Sequence, residues 1–272
     1  IVSRLCSGSE RSSIQQFMPR YFLALSYKGT AYRGFQVQEN AHTVQAEVEK
    51  ALGILLPGVM ELTGSSRTDA GVHARQNYFH FDIPEQVETY RGINTAAQFV
   101  YKVNAILPPD IAVLSLQLVK EDAHCRFDAI QRDYRYYIYT KKDPFHRDRA
   151  YYFPFRLQEE LLQEAANIIR EYHDFTSFSK RNTQVKTFIC SIVKSQWIRE
   201  GDLLVYEVGG NRFLRGMVRA LTATMLRVGR GLISLEEFRE IIESRDCTRA
   251  SFAVPPNGLF LEAVRYPQNY FD

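Results

Sequence analysis

The chain has 272 residues, 45% apolar and 24% charged, a composition of one large or two ordinary folded domains that excludes a disordered polymer. Its apolar runs fall far short of a bilayer span, which excludes a transmembrane protein, and a net charge of only +3 excludes a uniformly basic nucleic-acid binder. Cys6, Cys125, Cys190 and Cys247 lie far apart with no CxxC spacing, the pattern of reduced thiols in a cytoplasmic protein rather than of a disulfide frame or zinc site.

Residues 1–17 are Ser-rich and aperiodic, so they read as a poorly ordered N-terminal extension, with Met18 in "MPRYF" resembling a natural start. "RYFLALSYKG" (20–29) alternates as a strand ending in a turn. Thr43 caps a helix whose stripe is Val44, Val48, Ala51, Leu52 and Leu55, and "LLPGV" (55–59) stops it. Residues 77–83 form a second strand, with Tyr78, His80 and Asp82 on one face and Phe79, Phe81 and Ile83 on the other. A helix within 89–104 and a strand over 111–119 complete an N-terminal domain, 18–120.

The C-terminal domain, 121–272, begins with an aromatic strand over 127–140. A helix at 157–172, a strand near 186–199, a Gly-Asp turn and a strand over 203–210 follow, the last two strands forming a hairpin. The spacing then predicts a helix over 212–231, a capping box of Ser234 with Glu237, and a final strand over 258–266. The fold class is α+β: two domains, each an antiparallel sheet with helices on one face.

Chemistry concentrates in few places. In "SSRTDAGVHA" (65–74), Asp69 is flanked by Ala70 and Gly71, which clear space for a bulky substrate, and Arg67 could hold an anion. Taken alone, the motif reads as a turn, because Asp favours local hydrogen bonding there. His73 could serve as a general base, but a histidine leading into a strand reads first as a packing residue. His80, His124 and Cys125 are scattered without metal-ligand spacing, and no dinucleotide fingerprint is present. Tyr134, Tyr136 and Ile138 share one strand face, with Arg135, Tyr137 and Tyr139 on the other, a pattern that suits either base stacking or plain sheet packing. Arg212, Arg215 and Arg219 have the spacing of one helix face, and cations in a first turn need compensating anions.

Together, "SYKGTAYRGFQVQENAHTVQAEVEKAL", "SSRTDAGVHA", "VNAILPPDIAV", "CRFDAIQRDYRYYIY", "HDFTSF", "FLRGMVRALTATMLRVGRG" and "PPNGLFLEAVRY" resemble successive blocks of the tRNA pseudouridine synthase A family over residues 20–266. The chain departs from the family at Ser66, where a glycine is usual, and at Val37, where an RNA-contacting arginine is usual. The resemblance implies a pseudouridine synthase fold with its sheets meeting around a central active-site cleft. It implies a cytoplasmic isomerase, active as a homodimer on uridines of the tRNA anticodon stem-loop (positions 38–40), without metal or organic cofactor.

By the same resemblance Asp69 is the catalytic residue and Tyr134 stacks on the flipped base. Arg67 enters the RNA stack in the uridine's place, Arg219 pairs with and orients Asp69, and Leu259 forms an apolar wall under the uracil. A non-catalytic RNA-binding protein would not need these four polar residues together. A glycosidic hydrolase would need a second carboxylate, which neither the Asp69 motif nor the tyrosine block supplies.

Overall fold

The computed structural model describes residues 18–271 apart from Pro57, Val59, Met60, Arg91 and residues 182–184. The expected N-terminal extension, residues 1–17, and part of the 55–59 stop signal lie outside the described residues. The first half contains β1 (Arg20–Tyr27), α1 (Val44–Leu55), β2 (Thr63–Gly64), β3 (His73–Asp82), α2 (Ala96–Ile106) and β4 (Ile111–Val119). The second contains β5 (Gln131–Tyr139), β6 (Tyr151–Tyr152), α3 (Glu159–Ile169), β7 (Ile192–Glu200), β8 (Leu203–Gly210), α4 (Met217–Gly229), α5 (Leu235–Glu243) and β9 (Leu259–Arg265).

Local chemistry sets many of these boundaries. The Thr43 side chain accepts from the Ala46 N–H and starts α1; Thr95 accepts from Gln98 N–H and starts α2. The second cap explains why the helix expected within 89–104 begins only at Ala96. Ser234 and Glu237 form the reciprocal capping box at α5. Gly201, at φ +60°, makes the tight turn between β7 and β8.

The α+β class holds, but the expectation of a separate antiparallel sheet in each half is corrected. The strands run in one mixed sheet, in the order β4-β1-β3-β9-β5-β8-β7, with β2 beside β3 and β6 beside β5. The last strand explains the difference. β9 returns from the C-terminal half and inserts between β3, which it pairs in parallel through His73↔Phe260 and Ala74↔Leu261, and β5, which it pairs antiparallel. Leu261 is fully buried in the N-terminal core, so the join also buries apolar surface.

Two large hydrophobic cores lie along this sheet. One joins β1 and β3 to α1 and α2, with Phe35 stacked on Phe79 at 4.4 Å. The other packs Tyr136, Ile138, Tyr206 and Val208 against α3, α4 and α5. Tyr137, Tyr139 and Val205 belong to a third, smaller cluster, as the period-two alternation of β5 requires. Tyr134 touches both large cores and so sits where the halves meet.

Candidate active site

The 65–72 loop is fixed before any substrate arrives. The Asn77 side chain donates to the Ser66 carbonyl at 2.8 Å, the Tyr27 and Thr68 hydroxyls bond at 2.7 Å, and Phe35 N–H donates to the Thr68 carbonyl at 3.1 Å. Gly71 holds φ +79°, and a Cβ there would come within 2.9 Å of Pro256. Its smallness therefore serves a turn packed against the segment before β9, whereas exposed Ala70 retains the open side of the loop.

Asp69 projects from this loop toward three cations. Lys180 Nζ lies 3.7 Å and Arg219 Nη1 3.9 Å from Oδ2, and Arg215 Nε lies 3.9 Å from Oδ1. All three distances exceed hydrogen-bond length, and among the described residues the carboxylate accepts no hydrogen bond. It is thus attended by positive charge with its lone pairs free to react.

Each cation is itself held. Arg219 Nε and Nη2 donate to the Val254 carbonyl at 3.0 and 2.6 Å, which leaves Nη1 toward Asp69. Lys180 N–H donates to the Arg215 carbonyl, and the Lys180 stem lies over Gly216. Gly216, at φ +76°, is the N-cap of α4, and a Cβ there would meet Lys180 Cγ and Cε at 3.1 Å. This cap corrects the helix predicted over 212–231. Arg212 and Arg215 lie in the loop before α4, and only Arg219 stands in its first turn. A carbonyl and a carboxylate there offset the unfavourable macrodipole.

Of the residues expected in the site, Asp69, Arg219 and Tyr134 come together. Tyr134 is pushed up to about 12 by burial, with Arg132 opposing and Asp69 reinforcing the shift. Its ring meets Phe213 edge-on at 5.1 Å. Arg67 is exposed on the same loop and makes no ion pair among the described residues. Leu259 is buried, paired in register with Tyr136 and packed in the C-terminal core.

His73 is a packing residue. Gly29 N–H donates to its Nδ1 at 3.0 Å, its Nε2 faces the Asn257 carbonyl at 3.2 Å, and Phe260 stacks on the ring at 4.5 Å. Burial lowers its pKa, and both nitrogens are occupied. His80, His124 and Cys125, distant in sequence or lacking ligand spacing, are gathered by the fold so that their donor atoms lie within 4.8 Å of one another. Hydrogen bonds engage the thiol and one ring nitrogen of each histidine: Cys125 N–H donates to His80 Nδ1, the thiol donates to the Thr63 carbonyl, and His124 Nδ1 accepts from Arg126 N–H. Burial pushes the Cys125 thiol up to about 12, and burial together with His124 and Arg20 pushes His80 down to about 4.

Sequence reasoning missed Lys180 and Arg215 as neighbours of Asp69. The "HDFTSFSK" block pointed to the region, but nothing local shows that its last residue crosses to a loop more than 100 positions earlier.

A family model described as tRNA pseudouridine synthase matches residues 172–267, the segment from the end of α3 through β9. The chain is 45% identical over 254 residues to a tRNA pseudouridine synthase A of Parabacteroides distasonis, covering 93% of this chain and 98% of that one. It is 45% identical to the protein of that name from Bacteroides thetaiotaomicron, with 93% of each chain covered. The Bacillus subtilis protein of that name is 38% identical, with 89% of this chain and 97% of that one covered. These matches define a pseudouridine synthase, an isomerase by class. Within that class, the chain belongs to the tRNA pseudouridine synthase A family.

Proposed function

We propose that this protein isomerises uridine to pseudouridine in the tRNA anticodon stem-loop, with Asp69 as catalytic residue and no metal or organic cofactor. The observation that carries the reading is the Asp69 carboxylate, free of hydrogen bonds, ringed by Lys180, Arg215 and Arg219, and close to Tyr134. The N1–C1′ bond breaks with its electron pair leaving on the uracil. Asp69 either bonds to C1′ or takes a sugar proton while the base is detached. The uracil turns, C5 bonds to C1′ as the Asp69–C1′ bond breaks or Asp69 returns the sugar proton, the C5 proton is lost and N1 gains a proton, so the composition is unchanged.

The target base must leave the stack to reach Asp69, and Arg67 occupies its place. Tyr134 stacks on the flipped base, Arg219 orients Asp69, and Leu259 underlies the uracil. The protein acts as a cytoplasmic homodimer that grips one tRNA across both subunits. Its domains, 18–120 and 121–272, would meet at the active-site cleft, with each large core drawing residues from both halves. Among the described residues no helix is long and apolar enough to cross a membrane, consistent with a tRNA substrate in water. Pseudouridine mapping on an unmodified tRNA transcript after incubation with the protein tests the reading. New pseudouridine in the anticodon stem-loop is expected; a transcript modified only elsewhere contradicts the assigned site.

A further inference from the structure

Beside the Asp69 pocket lies a surface that the reaction does not use. Arg126 and Arg212 stand there on loops that Arg132 ties together, Arg126 is near enough to Arg67 and Arg212 to feel both charges, and among the described residues none of the three pairs with a carboxylate. Arginines elsewhere do pair: Arg20 with Asp82, Arg135 with Glu207, Arg239 with Glu171, Arg265 with Asp133. Asp128, the acid nearest Arg126 in sequence, turns Oδ2 away to accept from His124 N–H and the Tyr270 hydroxyl. Burial, with Arg67 and Arg212, lowers the Arg126 pKa, as expected where cations gather without an anion.

An aromatic platform adjoins these charges. Phe127 is 75% exposed, has the Arg126 guanidinium 5.8 Å from its ring centroid and rests on the His124 ring at 4.2 Å. An exposed ring backed on one face presents its other face to a flat, polar-edged partner. The loop beneath is braced. Arg132 donates to the carbonyls of Arg126, Ala129 and Asn211, tying the Phe127 loop to the turn that carries Arg212, and His124 Nδ1 accepts from both Arg126 N–H and Phe127 N–H. Phe213, next to Arg212, touches Tyr134, so the turn that carries Arg212 borders the residues around Asp69.

We propose that Arg126, Arg212 and Phe127 form a second RNA subsite, which binds the phosphate and stacks the base of an unstacked nucleotide flanking the one delivered to Asp69. It rests on the reading of the protein as a tRNA-modifying enzyme. The two guanidiniums meet the backbone charge, and the Phe127 face supplies sequence-tolerant stacking. Both requirements belong to single-stranded or distorted RNA rather than to an intact A-form stem.

The test measures binding, not turnover, in an Asp69→Ala background, with an unmodified tRNA transcript between about 50 and 200 mM salt. Arg126→Ala is expected to weaken affinity roughly tenfold and to lower the slope of log K against log salt by about 0.7 to 0.9. Phe127→Leu is expected to weaken affinity about fivefold or more with the slope unchanged, and Phe127→Trp to retain it. Thermal melts matching the parent confirm folding. Parent-like affinity and slope in both Arg126→Ala and Phe127→Leu overturn the subsite. So does a Phe127→Leu effect confined to sedimentation, which would mark a subunit contact. Label release from C5-tritiated tRNA by the wild type is scored separately, so failure of the enzyme reading is distinguishable from failure of the subsite.

Discussion

Two carboxylates in this protein are each surrounded by cations, and the contrast between them separates an acid bonded into the sheet from the acid proposed to react. Glu207 lies on β8 opposite Arg135 and Gln196 on the flanking strands, with Arg135 Nη2 at 2.5 Å, Lys194 Nζ at 2.6 Å and Gln196 Nε2 at 2.7 Å. Burial works against its charge, but hydrogen bonds from Lys194 and Gln196, with Arg135 nearby, prevail and hold its pKa below the usual value. Asp69 has three cations to the two of Glu207, all beyond hydrogen-bond reach, on a side chain 29% exposed. Glu207 spends its lone pairs on the sheet; Asp69 keeps its lone pairs for a substrate.

The largest effect among the surrounding cations is expected from Arg219→Leu. Turnover should fall about a hundredfold, the scale of losing one oriented electrostatic partner, while tRNA affinity changes little. Weaker, more salt-sensitive binding with normal turnover would instead make Arg219 a phosphate ligand. Glu207→Gln should do the reverse. Unfolding stability is expected to drop by about 2 kcal/mol, below the range for fully buried pairs because Arg135 and Lys194 are part-exposed, with near-normal turnover.

The sign of its pH dependence follows. A depressed native pKa gives stability that is complete above the ordinary glutamate value of 4.5 and is lost as pH falls through the native value. Denaturant titrations should therefore show a flatter acid limb in Glu207→Gln than in the wild type. A smaller effect is expected from Lys180→Met: turnover reduced about tenfold with Lys180→Arg recovering part of it, read from single-turnover rates. An unchanged rate would make its 3.7 Å approach to Asp69 incidental.

The same contrast marks how far the sequence could be read. Elements bounded by their own residues were legible: Thr43 capping α1, the Ser234–Glu237 box, and β4, which spans residues 111–119 as expected. The start of α4 was not. Periodicity runs back to Arg212, but the helix begins after Gly216, whose left-handed backbone leaves room for Lys180 from another segment. The sheet's continuity was hidden for a related reason, since β9 shows alternation but not which strands it will separate. Asp69 stood out only through the resemblance along the whole chain, since its motif alone reads as a turn, and the cations around it depend on contacts across more than 100 residues.

The most direct test is release of tritium from C5-labelled uridine in tRNA by the wild type and by Asp69→Ala, with tRNA affinity measured in parallel. The account predicts release by the wild type, a loss of at least about a thousandfold in the variant, and retained tRNA binding. Equal release by the two proteins, or none from the wild type, would contradict the assignment of Asp69.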